Sequence, residues 1–333
     1  AELEGDLSAY FEGMNRQKLG MALNLKTPSG VEIMHRLVRQ SDVLVQNFRK
    51  GVAERLGLGY EDLIKHNSKL IYASASGYGP EGPDAYKPAF ALTAEARAGA
   101  LWWFGPDDDT PHELDIADQI AGMMLSYGVL GAIVYRERFG VGQKVDVSHL
   151  GSMIWARGMQ NGISFLKDFE VPRFDRKEPG QVLWNYYRCQ DGEWIAFSMG
   201  QGDRFWPTFC QAIDRPDLVT DPRFDTMTAR FENRREVVAV LDDVFAGRPR
   251  AYWERRLDEA GDLIWERVQR NLDLLDDPQV KANDYVIEYD HPVIGPSKWA
   301  QTPVSYSETP LHTRKMAPAL GENTEEILID LLG

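Results

Sequence analysis

Residues 42–60 read DVLVQNFRKGVAERLGLGY, and this stretch decides the fold class. The apolar run at 42–45 has the composition of a buried strand, and residues 51–56 form a short helical pattern that a glycine-rich turn closes. The same alternation extends over residues 23–80. Strands that alternate with helices predict a parallel sheet of the doubly wound type, and therefore an α/β protein.

Neighbouring segments extend this pattern on both sides. Residues 23–25 are predicted to form a short strand, and Thr27 and Pro28 are predicted as the N-cap and first residue of the helix that follows. Residues 70–74 are the next predicted strand. Clean alternation of apolar and polar side chains predicts one more strand at 144–148.

The remaining sequence contains a long helix and a region of different character. The helix is predicted from about Asp115 to Glu137, because basic residues and a glycine mark its end. After Asn185 a strand at 194–197 and polar helices follow, which indicates a smaller α+β domain. A last amphipathic helix is predicted at 324–332.

Composition and charge exclude several classes of protein. The 333 residues are 43% hydrophobic and 26% charged, which is typical of a globular chain with two domains. The net charge of −14, from 51 acidic and 37 basic residues, disfavours nucleic acid as a main partner but allows a small anionic ligand. The most apolar run, residues 120–135, is interrupted by Ser126, Gly128 and Gly131, so no membrane span is expected.

The cysteines and histidines give no sign of disulfide or metal chemistry. Cys189 and Cys210 are too few for a disulfide framework, and the N-terminus has no signal-peptide pattern, so a cytoplasmic protein is expected. The six histidines form no HxH, HxxxH or HExxH motif, which disfavours a zinc hydrolase. The sequence also contains no GxSxG, no GxxxxGK[ST] and no GxGxxG after a strand.

Asp118 is the strongest candidate for a catalytic group. It lies with Asp115 in DIADQIAG, residues 115–122, where two acids begin an otherwise apolar helix. The two acids can cap the helix and interact with its positive end. Alternatively, Asp118 is an ionised, poorly solvated nucleophile for an acyl group, with Gly122 leaving room for a ligand. The residues alone leave both interpretations open.

Other segments are weaker candidates. The cations of residues 47–60 lie at the carboxyl end of a strand, where ligands of such sheets bind, and either contact phosphates or form a solvated turn. The aromatic residues 102–104 fit a core or the wall of a substrate pocket. His112 and His149 are interpreted as surface or strand histidines, and residues 200–202 fit either a hairpin or a mobile loop.

Taken together, the motifs resemble the class III CoA-transferase family (CaiB/BaiF type), which includes formyl-CoA and carnitine CoA-transferases and the α-methylacyl-CoA racemases. The matching segments, in order, are SAYF (8–11), NRQK (15–18), LNLKTP (23–28), DVLVQNFRKG (42–51), RLGLGY (55–60), SGYGPEGP (76–83), GVGQKVDVS (140–148), DL (217–218), DPRF (221–224), DPQV (277–280) and APALGE (317–322). This sequence starts after the strand, loop and GADVIKVE-like strand with which the family normally begins. We expect those elements, which contribute to the nucleotide pocket, in the complete polypeptide.

The resemblance implies a Rossmann-like large domain, a small domain and an interlocked homodimer. Residues 1–185 are accordingly predicted to form the large CoA-binding domain, including the long linking helix. Residues 186–290 are predicted to form the small α+β domain, and residues 291–333 a C-terminal segment that returns to the large domain.

The resemblance also implies a mechanism for moving CoA from a donor acyl-CoA to an acceptor carboxylic acid. Asp118 matches the family's nucleophile, which attacks the donor thioester to give a mixed anhydride and then an aspartyl-CoA thioester. The acceptor acid takes CoA from that thioester. Coenzyme A and acyl-CoA are therefore expected as substrates, and no metal or redox cofactor is required.

A CoA site follows from the same matches. The residues implied to line it are Asn47, Phe48, Arg55 and Leu56, with Leu23 near the adenine, Lys87 near the phosphates, and Arg16 and Lys18 as further candidates. The loop Gly200, Gln201 and Gly202 matches one that closes over the active site.

Two alternatives remain beside the CoA-transferase. One is a racemase or intramolecular CoA isomerase of the same family, and the other is a non-catalytic acyl-CoA-binding subunit of a heteromer. The racemases carry a catalytic His-Asp pair where this sequence has Phe90 and Ala91, which cannot move a proton. The presence of Asp118 argues against the non-catalytic subunit.

Overall fold

A computed structural model describes residues 7–103 and 110–332 of the chain. The chain divides into two compact units, Ala1–Pro172 with Asp284–Gly333, and Arg173–Asn283. The boundaries predicted from the sequence lay at 185/186 and 290/291. The structure changes units at 172/173 and at 283/284, so both boundaries come earlier in the chain than the predicted ones.

The first part of unit 1 alternates helices with three strands. Its elements are α1 (Ala9–Met14), α2 (Pro28–Gln40), β1 (Val43–Gln46), α3 (Val52–Arg55), α4 (Tyr60–Leu63), β2 (Ile71–Ser76), α5 (Ala91–Arg97), α6 (Ala100–Trp103), α7 (Ala117–Phe139), β3 (Lys144–Ser148), α8 (His149–Ala156) and α9 (Gly158–Lys167). Thr27 caps α2 by accepting from the backbone N–H of Gly30 at 3.2 Å, and Pro28 follows it, as predicted.

The three strands form one parallel sheet in the order β1-β2-β3, which confirms the parallel pairing. Val45 is paired with Ala73, and Ala75 is paired with Val147. Because the strands are parallel, their carboxyl ends lie at one edge of the sheet. The residues that directly follow the three strands are Asn47, Gly77 and His149.

Helix α7 packs closely against this sheet through Gly128. A Cβ atom at that glycine would lie 2.7 Å from Cγ1 of Val145 in β3, which is too short for two carbon atoms. The helix ends at Gly140, which has φ 74° and donates to the carbonyl of Arg136. The helix thus lies against β2 and β3, and Asp118 in its first turn contacts His149 at the start of α8.

Helix α7 also corrects one expectation from the sequence. Ala117–Phe139 is a continuous helix of 23 residues that is long and apolar enough to cross a membrane, by length and composition only. The glycines and the serine do not interrupt it. Just 22% of the most apolar 18-residue stretch of this helix is buried within the chain. Much of the apolar surface of the helix therefore faces outward.

Two predicted elements were wrong. Residues 23–25 form no strand; instead the carbonyl of Asn24 accepts from the N–H of Thr27, which makes a turn into α2. The predicted C-terminal helix is a short turn of α-helix followed by a π-helical turn, Ile327–Leu331.

Unit 2 is an α+β assembly around one large core. Its elements are β4 (Trp184–Arg188), β5 (Trp194–Ser198), α10 (Gly202–Ala212), α11 (Met227–Glu232), α12 (Arg234–Ala246), α13 (Arg250–Ala260), β6 (Trp265–Arg267) and α14 (Pro278–Ala282). The strands pair antiparallel in the order β4-β5-β6, and Phe197 of β5 packs among Tyr187, Phe209 and Phe245. The chain then returns to unit 1 as a hairpin, β7 (Val286–His291) and β8 (Gly295–Ala300), and as α15 (Thr324–Glu326).

Both cysteines lie in this core, which leads to a prediction. Burial raises the pKa of the Cys189 and Cys210 thiols to about 12. We expect neither to react with DTNB at pH 8 in the folded protein, and both to react in guanidinium chloride. Because the fold favours the neutral thiols, the free energy of unfolding should fall as the pH rises from about 8.5 towards 12. Prompt reaction of a thiol in the native protein would contradict this burial.

Candidate active site

The first turn of α7 is held by a carboxylate from α5. Glu95 is fully buried, and its Oε1 accepts from the N–H groups of Ile116 at 2.9 Å and Ala117 at 3.1 Å. Its Oε2 accepts from the N–H groups of Leu114 and Asp115, each at 3.3 Å. Four backbone donors before and at the helix start thus share one side chain, which satisfies groups that otherwise lack partners.

This arrangement bears on the proposed capping role of the acids at the start of α7. Ile116 is the N-cap residue, and no side chain of α7 caps the helix. The interpretation of Asp115 and Asp118 as caps was therefore wrong, because Glu95 performs that role. Asp115 adopts a left-handed conformation with φ 54°, and Asp118 lies in the first turn with its carboxylate outside the cap.

The carboxylate of Asp118 contacts a histidine. His149 Nε2 lies 3.0 Å from Asp118 Oδ1, and the two side chains are 22% and 51% exposed. His149 is the first residue of α8, which Ser148 caps by accepting from the N–H of Gly151 at 3.0 Å. The second ring nitrogen of His149, Nδ1, is buried and has no hydrogen-bond partner among the described residues.

Sequence reasoning missed this role for His149, which was interpreted as a surface or strand histidine. The signal was its position directly after β3, because side chains that follow parallel strands line the ligand edge of the sheet. The same reasoning had been applied to Asn47, which follows β1.

Space for a substrate exists beside Asp118. A Cβ atom built at Gly122, one turn further along α7, would meet no described atom within 4 Å. A half-exposed carboxylate with an imidazole nitrogen 3.0 Å away and open space beside it has the requirements of a carboxylate nucleophile.

At the end of β1, Asn47 and Phe48 are both exposed. The N–H of Phe48 donates to Oε1 of Gln46 at 2.8 Å, and the amide of Gln46 donates to Ser74 Oγ at 2.8 Å. These bonds fix the chain as it leaves the sheet, so that Asn47 and Phe48 face outward from its carboxyl edge.

Two of the predicted CoA residues line a cavity of about 420 Å³. Its lining residues are Leu25, Lys26, Thr27, Pro28, Val31, Glu32, His35, Arg55 and Leu56. The predicted residue Leu23 is half-buried and does not line this cavity, whereas Leu25 does. The cavity combines aliphatic walls with the cations of Lys26 and Arg55, which suits a ligand with an apolar ring and phosphates.

The remaining predicted cations lie elsewhere in unit 1. Lys87 is exposed, and its Nζ lies 5.8 Å from the centre of the Tyr78 ring. Arg16 donates to the carbonyl of Ala300 at 2.7 Å, and burial lowers the pKa of its guanidinium. Lys18 donates to the carbonyl of Met14 and borders a different cavity of about 820 Å³. Arg16 and Lys18 therefore do not line the cavity that contains Arg55.

The predicted glycine loop lies in unit 2. Gln201 is the N-cap of α10 and Gly202 is its first residue, where a Cβ atom would overlap the side-chain amide of Gln181. The role of residues 200–202 over an active site stays a prediction.

Trp102 and Trp103 belong to α6, and Phe104 lies outside the described residues. Among the described residues, no group of three His, Cys, Asp or Glu side chains could hold a metal ion.

Solved structures place this fold in a known class. A CaiB/BaiF family protein from Brucella suis matches with a TM-score of 0.87 and 26% identity, over 99% of this chain and 86% of that one. The fold is thus that of a CaiB/BaiF-type protein.

Sequence comparison gives the family. The model of CoA-transferase family III matches residues 2–324. The (R)-2-hydroxy-4-methylpentanoate CoA-transferase of Clostridioides difficile is 30% identical over 98% of this chain and 82% of its own length. The succinyl-CoA:glutarate CoA-transferase of Mus musculus is 29% identical over 98% of this chain and 74% of its own length. The chain belongs to CoA-transferase family III and is an enzyme of that family, which confirms the resemblance seen in the sequence.

Proposed function

We propose that the protein moves CoA from a donor acyl-CoA to an acceptor carboxylic acid, with Asp118 as the nucleophile. The observation that carries this proposal is the half-exposed Asp118 carboxylate, 3.0 Å from His149 and beside the open space at Gly122. Family membership supplies the reaction class, and the resemblance of residues 116–122 to the family's motif supports Asp118 as the nucleophile.

The proposed reaction has two halves. In the first, a carboxylate oxygen of Asp118 attacks the thioester carbonyl, the C–S bond breaks, and CoA leaves as the thiolate. The thiolate then attacks the aspartyl carbonyl carbon of the mixed anhydride, which releases the donor acid and leaves an aspartyl-CoA thioester. In the second half the acceptor carboxylate attacks the aspartyl-CoA thioester, and CoA returns to the acceptor carbonyl.

We propose that the nucleotide end of CoA occupies the cavity of about 420 Å³. Arg55 and Lys26 supply cations for phosphates there, and Leu25 and Leu56 supply apolar surface for the adenine. Asn47 and Phe48, which follow β1, are proposed to contact the chain of CoA between that cavity and the thioester. The exposed Lys87 is a further partner for a phosphate.

We also propose that the enzyme is an interlocked homodimer. Helix α7 exposes an apolar stripe at positions i, i+4, i+7 and i+11, and α8 and α9 expose further large apolar side chains. These residues are Met123, Tyr127, Leu130 and Val134 on α7, and Trp155, Met159, Phe165 and Leu166 on α8 and α9. Soluble chains rarely leave so much contiguous apolar surface in water, which supports its burial by a second copy.

The activity is tested by isotope exchange, which needs no knowledge of the acceptor. A CoA-transferase of this mechanism exchanges label between an acyl-CoA and its own free acid. The pairs are succinyl-CoA with [14C]succinate, acetyl-CoA with [14C]acetate, glutaryl-CoA with [14C]glutarate, and the corresponding pair for 2-hydroxy-4-methylpentanoate. We expect exchange with at least one pair, and a CoA adduct on the Asp118 peptide that hydroxylamine removes.

Absence of both exchange and adduct with every pair would contradict the proposed function. An adduct on a different residue would retain the reaction class and reject Asp118 as the nucleophile. The assay contains this chain alone. Activity would therefore also exclude the alternative in which the chain is a non-catalytic subunit of a heteromer.

The dimer leads to a prediction for the apolar stripe of α7. Leu130 is 60% exposed in the single chain, so Leu130→Glu should leave the fold of that chain intact while placing a charge in the proposed interface. We expect light scattering to give twice the chain mass for the wild type and the single-chain mass for the variant. Leu272→Glu, at a leucine of unit 2 that is 77% exposed, should remain a dimer. A monomeric wild type would contradict the proposal.

A further inference from the structure

We propose that His149 is a catalytic residue, whose Nε2–H stabilises the oxyanion that forms on Oδ1 of Asp118 each time the aspartyl carbonyl carbon is attacked. This inference rests on the proposed function, because it requires Asp118 to carry the acyl group and CoA in turn. It assigns to His149 a role in particular steps of the reaction.

The geometry suits an oxyanion donor. The Nε2–Oδ1 distance of 3.0 Å lies within the range of about 2.7–3.1 Å for effective donors. The imidazole is largely buried, and its backbone is fixed between the end of β3 and the capped start of α8. The donor is therefore in position before the reaction begins, so little reorganisation is needed when charge develops.

The buried Nδ1 atom determines which nitrogen carries the proton. A neutral imidazole has one N–H donor and one acceptor nitrogen. Among the described residues, a proton on Nδ1 would be a buried donor without a partner, which is costly, whereas a proton on Nε2 would lie beside Asp118 Oδ1, which is 3.0 Å from Nε2. The hydrogen-bonding environment thus assigns the Nε2–H tautomer.

The same contact distinguishes the two oxygens of Asp118. Oδ1 is engaged by His149, and no other described residue forms a hydrogen bond or ion pair with this carboxylate. Oδ2 is therefore the oxygen that attacks the donor thioester. After that attack, Oδ2 bridges the mixed anhydride, and Oδ1 is the aspartyl carbonyl oxygen that still accepts from His149.

Charge then develops on Oδ1 in two steps. When the CoA thiolate attacks Cγ of the anhydride, the carbonyl electron pair moves onto Oδ1. When this electron pair returns to re-form the carbonyl, the Cγ–Oδ2 bond breaks and the donor acid leaves with Oδ2. When the acceptor carboxylate attacks Cγ of the aspartyl-CoA thioester, the pair moves onto Oδ1 again, and the C–S bond breaks. In both steps Nε2 of His149, 3.0 Å from Oδ1, faces a growing negative charge.

The initial attack differs from these steps. There Oδ2 attacks the carbonyl carbon of the donor, so negative charge develops on the donor's own oxygen and not on Oδ1. His149 consequently accelerates the attacks at Cγ more than it accelerates formation of the anhydride. A residue that only maintained the fold would not separate these steps.

The test measures discharge of the aspartyl-CoA adduct. Wild type, His149→Leu and His149→Gln are loaded with the acyl-CoA that the wild type exchanges, freed of excess thioester, and mixed with the corresponding free acid. Rapid quenching and intact mass spectrometry follow the loss of the adduct. We expect discharge to slow roughly 100-fold in His149→Leu and to recover at least tenfold in His149→Gln, whose amide places an N–H near the position of Nε2.

The controls separate this inference from the proposed function. The melting temperature should change little in both variants. Discharge of His149→Leu at the wild-type rate would overturn the role of His149 and leave Asp118 as the nucleophile. Failure of the wild type to form any adduct would instead reject the proposed function.

A second comparison covers the case in which the leucine variant does not fold. His149→Asn keeps an amide, but its shorter side chain cannot bring the N–H to Oδ1. We expect His149→Asn to discharge as slowly as a variant without a donor, and His149→Gln to be faster. Equal discharge rates in these two amide variants would overturn the inference.

Discussion

Asp118→Asn should reduce isotope exchange between acyl-CoA and free acid by roughly 10³- to 10⁴-fold and should abolish the CoA adduct. The substitution keeps the size of the side chain and an oxygen that accepts from His149. It removes the anionic oxygen that attacks the thioester, and a neutral amide cannot form the anhydride. The measurement is the rate of label exchange, together with intact mass after incubation with acyl-CoA.

A matched control lies three residues earlier. Asp115 is exposed and has φ 54°, a left-handed conformation that asparagine adopts readily. Asp115→Asn removes one negative charge from the same helix end without touching His149, so its exchange rate should stay within about twofold of the wild type. If both variants lost activity equally, the charge of the helix end, and not a nucleophile at Asp118, would explain the loss.

Glu95→Gln should give the second large effect, on stability and activity together. The oxygen of the glutamine side chain can replace one carboxylate oxygen of Glu95. The NH₂ group takes the position of the other carboxylate oxygen, where it faces two backbone N–H donors and cannot accept from them. Two donors that are at least part-buried then lose their acceptor, at about 1–3 kcal/mol each. We expect the free energy of unfolding to fall by roughly 2–4 kcal/mol, and isotope exchange to fall as the segment before Asp118 loses its anchor.

Urea unfolding with fluorescence detection measures the change in stability. Glu113→Gln is the control, because Glu113 is an exposed acid next to the same segment; its effect should stay within about 0.5 kcal/mol. A Glu95→Gln variant with wild-type stability would show that the four N–H groups find other partners, for example water.

The sequence predicted what local patterns determine. Strand β3 was predicted with the same bounds as the structure has, because its side chains alternate strictly between apolar and polar. Thr27 and Pro28 were predicted correctly as the start of α2, since capping depends on neighbouring residues. Residues 23–25 have a similar apolar pattern, but they pair with no strand among the described residues. Whether a segment has a pairing partner depends on the tertiary fold and cannot be seen in the local sequence.

The site was predicted in part for the same reason. Asp118 was recognisable from its position in an acidic helix start and from the family motif. The cap supplied by Glu95 was not, because it comes from a residue about 20 positions away on another helix. The acids nearest in sequence were therefore taken as caps. His149 required knowledge of the strand order, which brings the residue after β3 to the first turn of α7.

The hydrogen bonds between the two ends of unit 1 determine the order in which the chain can fold during synthesis. Gly20 donates to Asn323, Ala22 donates to Thr324, and Arg16 donates to the carbonyl of Ala300, so early residues depend on partners made about 280–300 residues later. Unit 2, Arg173–Asn283, is continuous and needs no later residue for its own core. A nascent chain that has emerged to residue 283 can thus contain a folded second unit, while the early residues of the first unit still await residues 284–333 from the ribosome.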